Sequence, residues 1–129
     1  IGNTDFSVAY QHNGKLLYVD KKIIPLPYDF DMSGFINPSY SVVNQTLNIS
    51  SIRDRKYRGF KRESNDFYAV RDVFISQKEA MFAVLSNYQA SFENPKEFDE
   101  AKEYLTSFFD VIENEASFKK NVIDAARTK

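Results

Sequence analysis

Apolar residues in the second half of the chain recur at helical spacing. Phe67, Val70, Phe74, Met81, Val84, Leu85 and Tyr88 fall near one face of a helix predicted over 65–87, with Arg71, Lys78 and Glu79 outside it. Asn65 stands where an N-cap is expected. Asn94-Pro95-Lys96-Glu97 then supplies a cap, a proline at the first helical position and a capping-box glutamate. Phe98, Ala101, Leu105, Phe108 and Ile112 continue one face of that helix, over 95–112. A last helix is predicted over 115–126, buried through Phe118, Val122 and Ala125.

The first half follows a different rhythm. Lys15-Leu16-Leu17-Tyr18-Val19 and Ile23-Ile24-Pro25-Leu26-Pro27-Tyr28 flank Asp20-Lys21-Lys22, which reads as a β-hairpin with a short polar turn. Pro25 and Pro27 lack a backbone N–H, so the second strand is confined to an edge or to pairing on one side. Residues 32–50 read as a long ordered loop turning at Gly34, Asn37-Pro38 and Asn44, and such loops are often functional. All four glycines and three of the four prolines lie in residues 1–62. The predicted fold is therefore α+β and mostly α-helical: an N-terminal hairpin followed by three helices. Its 129 residues suit one domain, with a loop-and-hairpin region over 1–62 and a helical region over 63–129.

Charge and composition narrow the function classes. Lys plus Arg is 17 and Asp plus Glu is 18, a balance that gives no bulk reason to expect nucleic acid or an anionic membrane as partner. Cysteine is absent, which excludes disulfides, thiolate metal sites and cysteine nucleophiles. No apolar run approaches a membrane span, and no signal peptide is visible. The chain opens Ile1-Gly2-Asn3 without a methionine, as a piece of a longer protein would. Twelve Phe and eight Tyr point to an aromatic core with tyrosine hydroxyls reaching outward.

Acidic and amide groups concentrate in two places: Gly2-Asn3-Thr4-Asp5 followed by His12-Asn13 before the hairpin, and Asp29-Phe30-Asp31 followed by Ser33-Gly34 after it. A hairpin returns its outer ends to one another, so Asn13 and Asp29 are expected to be neighbours. Strand alternation would set Asp29 and Asp31 on one face and let Phe30 anchor in the core. An amide oxygen and carboxylates converging there make a hard-cation site of the Mg²⁺ type. The same Asp-x-Asp before Ser33-Gly34 also suits a loop in which Asp accepts from nearby backbone N–H groups. His12, the single histidine, has no evident Ser or Cys partner and is expected to flank the site without doing chemistry.

Several stretches together resemble the C-terminal part of a family of uncharacterised bacterial proteins: Gly2-Asn3-Thr4-Asp5, His12-Asn13, Ile24-Pro25-Leu26-Pro27-Tyr28-Asp29-Phe30-Asp31-Met32-Ser33-Gly34, Pro38-Ser39-Tyr40 and Ser51 to Phe60. The order of motifs is similar in turn to atypical protein-kinase-like folds, notably CotH kinases and HipA-type kinases. The resemblance implies a catalytic role for Asp5, metal binding by Asn13, Asp29 and Asp31, and Mg²⁺ (or Mn²⁺) with ATP as cofactors. Protein kinases place the Asn five residues after the Asp, whereas the interval here is eight. No Gly-rich loop or Val-Ala-x-Lys pattern occurs in the 129 residues. The resemblance therefore implies an N-terminal lobe elsewhere in the protein as partner, with a nucleotide and an unknown acceptor, and a fragment inactive by itself. It also implies a bacterial protein exported to the periplasm or cell envelope.

The segment Arg53–Arg62 carries six basic residues in ten, interleaved with Tyr57 and Phe60. Arg53, Arg55 and Arg58 are its candidates for binding substrate or phosphate. The plainer expectation is a solvated stretch paired with the acids of 93–115. Asn44 and Asn48 each fit a glycosylation sequon, which matters only in a eukaryotic secretory route. The alternative to a phosphotransferase is a non-catalytic binding or structural module that keeps the fold. A nuclease-like site would want a Lys or Glu at the same strand end, and Tyr28–Gly34 offers neither.

Overall fold

The computed structural model describes residues 2–8 and 11–128. The fold is α+β, with one antiparallel hairpin followed by helices. The chain divides into two compact units, Ile1–Arg55 and Lys56–Lys129.

In the first unit, β1 (Gly14–Val19) pairs with β2 (Lys22–Pro27) in a register running from Gly14 opposite Pro27 to Val19 opposite Lys22. The turn is therefore two residues long, not the expected three. Asp20 and Lys21 both take left-handed φ, 50° and 62°, the combination whose twist matches a two-residue hairpin. The Tyr28 N–H donates to the Asn13 carbonyl at 2.9 Å, one pair beyond the last strand residues. That fixes Asn13 and Tyr28 as a hydrogen-bonding pair, so the alternate positions Gly14/Pro27 and Leu16/Pro25 face outward with their backbone groups. The prolines thus occupy the positions where a missing N–H costs no ladder bond, as the sequence requires.

Beyond the hairpin the chain folds on turns and cross-links. Asn3 bridges Ser33, and the Gly34 N–H donates to the Gly2 carbonyl at 3.1 Å. Ser33 is 1% exposed. The ring of Phe6 lies across Gly14, where a Cβ would stand 2.9 Å from Phe Cε2 and force a shift. Asn44 caps a short 3₁₀ turn, Gln45–Leu47, by accepting from the Thr46 N–H.

The second unit is built from α1 (Ser64–Ser76), α2 (Lys78–Asn87), α3 (Pro95–Glu113) and α4 (Glu115–Phe118), which runs into a π-helical turn, Lys119–Ile123. The helix predicted over 65–87 is thus two helices broken at Gln77 (φ −98°, ψ 2°). Ser76 spends its hydroxyl on the Val73 carbonyl at 2.8 Å, a local bond that competes with the helical ladder. Asn65 is not the cap. Glu63 holds that position without a side-chain bond, and Asp66 lies in the first turn, where the macrodipole favours an acid.

α3 starts as the sequence reads: the Asn94 Oδ1 accepts from the Lys96 N–H and Pro95 takes the first turn. Its buried face is Phe98, Ala101, Tyr104, Leu105, Phe109 and Ile112. Phe109, 1% exposed, is the deepest side chain, while Phe108 is half-buried. The helix predicted over 115–126 is α-helical only to Phe118, and Ala125 is exposed. Asn114 separates α3 from α4 and caps the latter through Ser117.

Edge-on ring contacts join α1 to α3 through Phe74–Phe108 at 5.2 Å, continue within α3 through Phe108–Phe109 at 5.2 Å, and hold the connection before α3 to it through Phe92–Phe98 at 5.6 Å. Arg71 fastens the start of α4 to α1. It donates to Glu115 at 2.7 Å and to the Glu113 carbonyl at 3.2 Å, and its guanidinium lies over the Phe118 ring. Tyr68 also donates to Glu115. Tyr57, Phe67, Phe74, Phe108, Ile112 and Phe118 leave between them an apolar cavity of about 240 Å³. Among the described residues no helix is long and apolar enough to cross a membrane.

Candidate functional site

The first unit gathers the predicted acidic and amide residues at the open end of the hairpin. Left-handed turns do the gathering: Asn13 (φ 49°) leads into β1 and Asp29 (φ 57°) leaves β2. Asn and Asp tolerate that conformation better than other side-chain-bearing residues, which accounts locally for both identities. The Asn13 Nδ2 donates to Asp5 Oδ2 at 2.9 Å. The Asp5 N–H in turn donates to the Asn3 side chain at 2.9 Å. His12 Nδ1 reaches the Asp5 carbonyl at 2.7 Å and the Asp5 Oδ1 at 3.2 Å. Both oxygens of the half-exposed Asp5 carboxylate are therefore oriented by neighbours.

Across the hairpin foot the Asp29 and Asp31 carboxyls lie near one another, and interaction with Asp31, by hydrogen bonding and then by charge, followed by desolvation and the charge of Asp5, holds the Asp29 carboxyl above its ordinary range. Asp31 accepts from the Tyr40 hydroxyl at 3.1 Å and from the Met32 N–H at 2.8 Å. The bond to Asp31 raises the Tyr40 phenol above its usual value, ahead of desolvation and the two aspartate charges. The Asn3 side chain also donates to the Asp29 carbonyl, at 3.4 Å.

One part of the expected construction is different. Asp29 lies outside β2 in a left-handed turn, so strand alternation does not pair the carboxyls. Phe30 is 38% exposed and does not anchor in a core. The turn brings the two acids together instead.

Among the described residues no three His, Cys, Asp or Glu side chains gather as a ready cation cage. The donor set nevertheless suits an Mg²⁺ ion that takes two carboxylates and leaves its other positions to water and phosphate oxygen. Asp29 and Asp31 place two carboxyls where such an ion would neutralise both charges. Asn13 turns its amide nitrogen to Asp5, so its oxygen is the atom left for a cation.

The basic segment is divided. Arg53 and Arg55 close the first unit, and Arg58 belongs to the second. Arg53 is half-buried, with its N–H on the Ser51 hydroxyl. The acids at the end of α3 have partners on the helices: Lys78 reaches Glu113 at 2.8 Å, as Arg71 does Glu115. Tyr40 and the His12 contact are additions that spacing did not expose, while Asn3 belongs to the cluster read from the sequence. Tyr40 stands nine positions from Asp31 across an irregular loop, and no periodicity signals such a bond. No family model, curated protein or solved structure matches the chain.

Proposed function

We propose that this chain is the C-terminal lobe of an atypical kinase-like, metal-dependent phosphotransferase, inactive without a nucleotide-binding lobe. The observation that carries the reading is the placing of the Asp29 and Asp31 carboxyls together at the hairpin foot, within the electrostatic reach of an Asp5 held by Asn13. Two like charges forced together are unfavourable unless a proton or a cation lies between them. In this reading Asp29 and Asp31 hold Mg²⁺ or Mn²⁺, with the Asn13 oxygen as a further donor, and Asp5 faces the acceptor hydroxyl. The ion, when bound with ATP, neutralises phosphate oxygens. Arg53 and Arg55, in the same unit as these acids, would act on the acceptor or its phosphates.

The test is ATP-dependent phosphorylation by a protein containing this chain and its nucleotide-binding lobe. Asp29→Asn keeps the shape and suits a left-handed φ, so activity is expected to vanish while the fold survives. Unchanged activity would refute the phosphotransferase reading.

One observation favours a second reading, a non-catalytic binding module. Leu16, Leu17, Tyr18, Ile23, Ile24 and Leu26 are all exposed, so both faces of the hairpin present apolar surface. Under that reading Asp29→Asn leaves partner binding intact, whereas Ile23→Lys weakens it.

A further inference from the structure

The two edges of the hairpin are not alike. On β2 the outward backbone positions are Ile23, Pro25 and Pro27, and the prolines have no N–H to offer. On β1 they are Gly14, Leu16 and Tyr18, each of which has one. Gly14 is buried under the Phe6 ring. Leu16 and Tyr18 are exposed, and among the described residues no backbone bond reaches the N–H of either. An edge strand of this kind is a template for another strand unless proline, charge or a covering element blunts it. Proline blunts β2, whereas β1 has no proline and a single charge, Lys15. A lone two-stranded hairpin also falls short of the strands that an independent sheet needs in water.

We propose that the open edge of β1 pairs with β1 of a second copy of this chain, antiparallel and with the two-fold axis at Leu17. The occupant follows from the spacing of the open positions. With the axis at Leu17, Leu16 of each copy falls opposite Tyr18 of the other, so every open N–H meets an open carbonyl. Leu17 faces its own counterpart across the axis, and Lys15 faces Val19 of the second copy. An axis at Tyr18 would set Lys15 against Lys21, a like-charge pair, and an axis at Leu16 would draw on the covered Gly14. The product doubles the two-stranded sheet in the order β2-β1-β1-β2, with prolines along both outer edges. One face of it gathers Leu16, Tyr18 and Ile23 from both copies. The assignment stands apart from the phosphotransfer reading, because it uses no residue of the acidic cluster.

The test is sedimentation equilibrium of the unaltered chain beside two proline variants. The unaltered chain should reach twice its mass of 15.0 kDa. Leu16→Pro removes an outward N–H from each copy and leaves the ladder to β2 whole. It should weaken the dimer about thirtyfold, the scale of two backbone hydrogen bonds. Ile23→Pro removes the outward N–H of the opposite edge and should leave the dimer unchanged. An unaltered chain that stays monomeric at the concentrations used for NMR overturns the proposal. So does a dimer that Leu16→Pro leaves intact or that Ile23→Pro abolishes. Should Leu16→Pro fail to fold, a mixture of isotope-labelled and unlabelled unaltered chain decides. A nuclear Overhauser contact between the Leu17 α-protons of the two copies is expected, since directly opposed residues of a non-hydrogen-bonded pair approach most closely. A dimer without that contact overturns the pairing.

Discussion

The two units of this chain are stabilised by different means. Among the described residues, Ile52 is the single buried apolar side chain of the first unit, while Phe67, Leu85, Phe98, Leu105, Phe109, Ile112 and Phe118 all belong to the second. The helical unit rests on aromatic burial. The hairpin unit rests on turns, the Asn3–Ser33 bridge and side-chain bonds to backbone. Its polar groups converge because no core competes for them, and the candidate chemistry lies in the unit with the weaker apolar support.

The largest expected effect is in the scaffold. Phe109→Ala should cost ~3–5 kcal/mol in denaturant unfolding, because the ring is fully buried. Phe108→Ala, at a half-buried ring on the cavity, should cost clearly less. Equal losses would mean that the two rings are not divided as described.

The next effect is confined to the hairpin. Leu17 pairs with Ile24 at a hydrogen-bonding position, whereas Leu16 faces Pro25 with its N–H outward. Leu17→Pro should abolish the cross-strand nuclear Overhauser contacts, and Leu16→Pro should keep them. Both should leave the helical circular dichroism in place. Loss of helix in either variant would erase the distinction between the units.

A smaller effect follows from Asp29. Its carboxyl is raised, so the stability it contributes is present below the ordinary value of 3.8 and is lost as pH rises through its folded value. At neutral pH the ionised pair therefore works against the fold. Asp29→Asn should raise the melting temperature at pH 7 and lose that advantage in acid. The smallest effect has the opposite sign. The bonds from Tyr68 and then Arg71 lower the Glu115 carboxyl, so its contribution is present above 4.5 and disappears as pH falls through the folded value. Glu115→Gln should be less stable than the unaltered chain at pH 7 and indistinguishable from it well below that range.

The same contrast governs what the sequence shows. Helices were legible because burial imposes a period, and the cap at Asn94 marked the start of α3 to the residue. The break at Gln77 was not, since no Gly or Pro marks it. Adjacent rings at 108 and 109 point about a quarter-turn apart, and packing alone chose the inner one. The π-helical turn leaves no periodic trace over five residues. At the site, the meeting of Asn13 with Asp5 and with the residues after β2 could be argued from chain order. The left-handed turn at Asp29 could not, because an Asp between strand and loop is compatible with either conformation. The two-residue turn was hidden for a like reason: Asp20-Lys21 lacks the glycine that usually announces it.

The most direct test of the central claim, that Asp29 and Asp31 form a cation site, is Mn²⁺-induced line broadening in the NMR spectrum of this chain. The account predicts broadening centred on residues 29–31, spreading to Asp5 and Asn13, and removed by Asp29→Asn. Broadening that is absent there, or that survives Asp29→Asn unchanged, would contradict it.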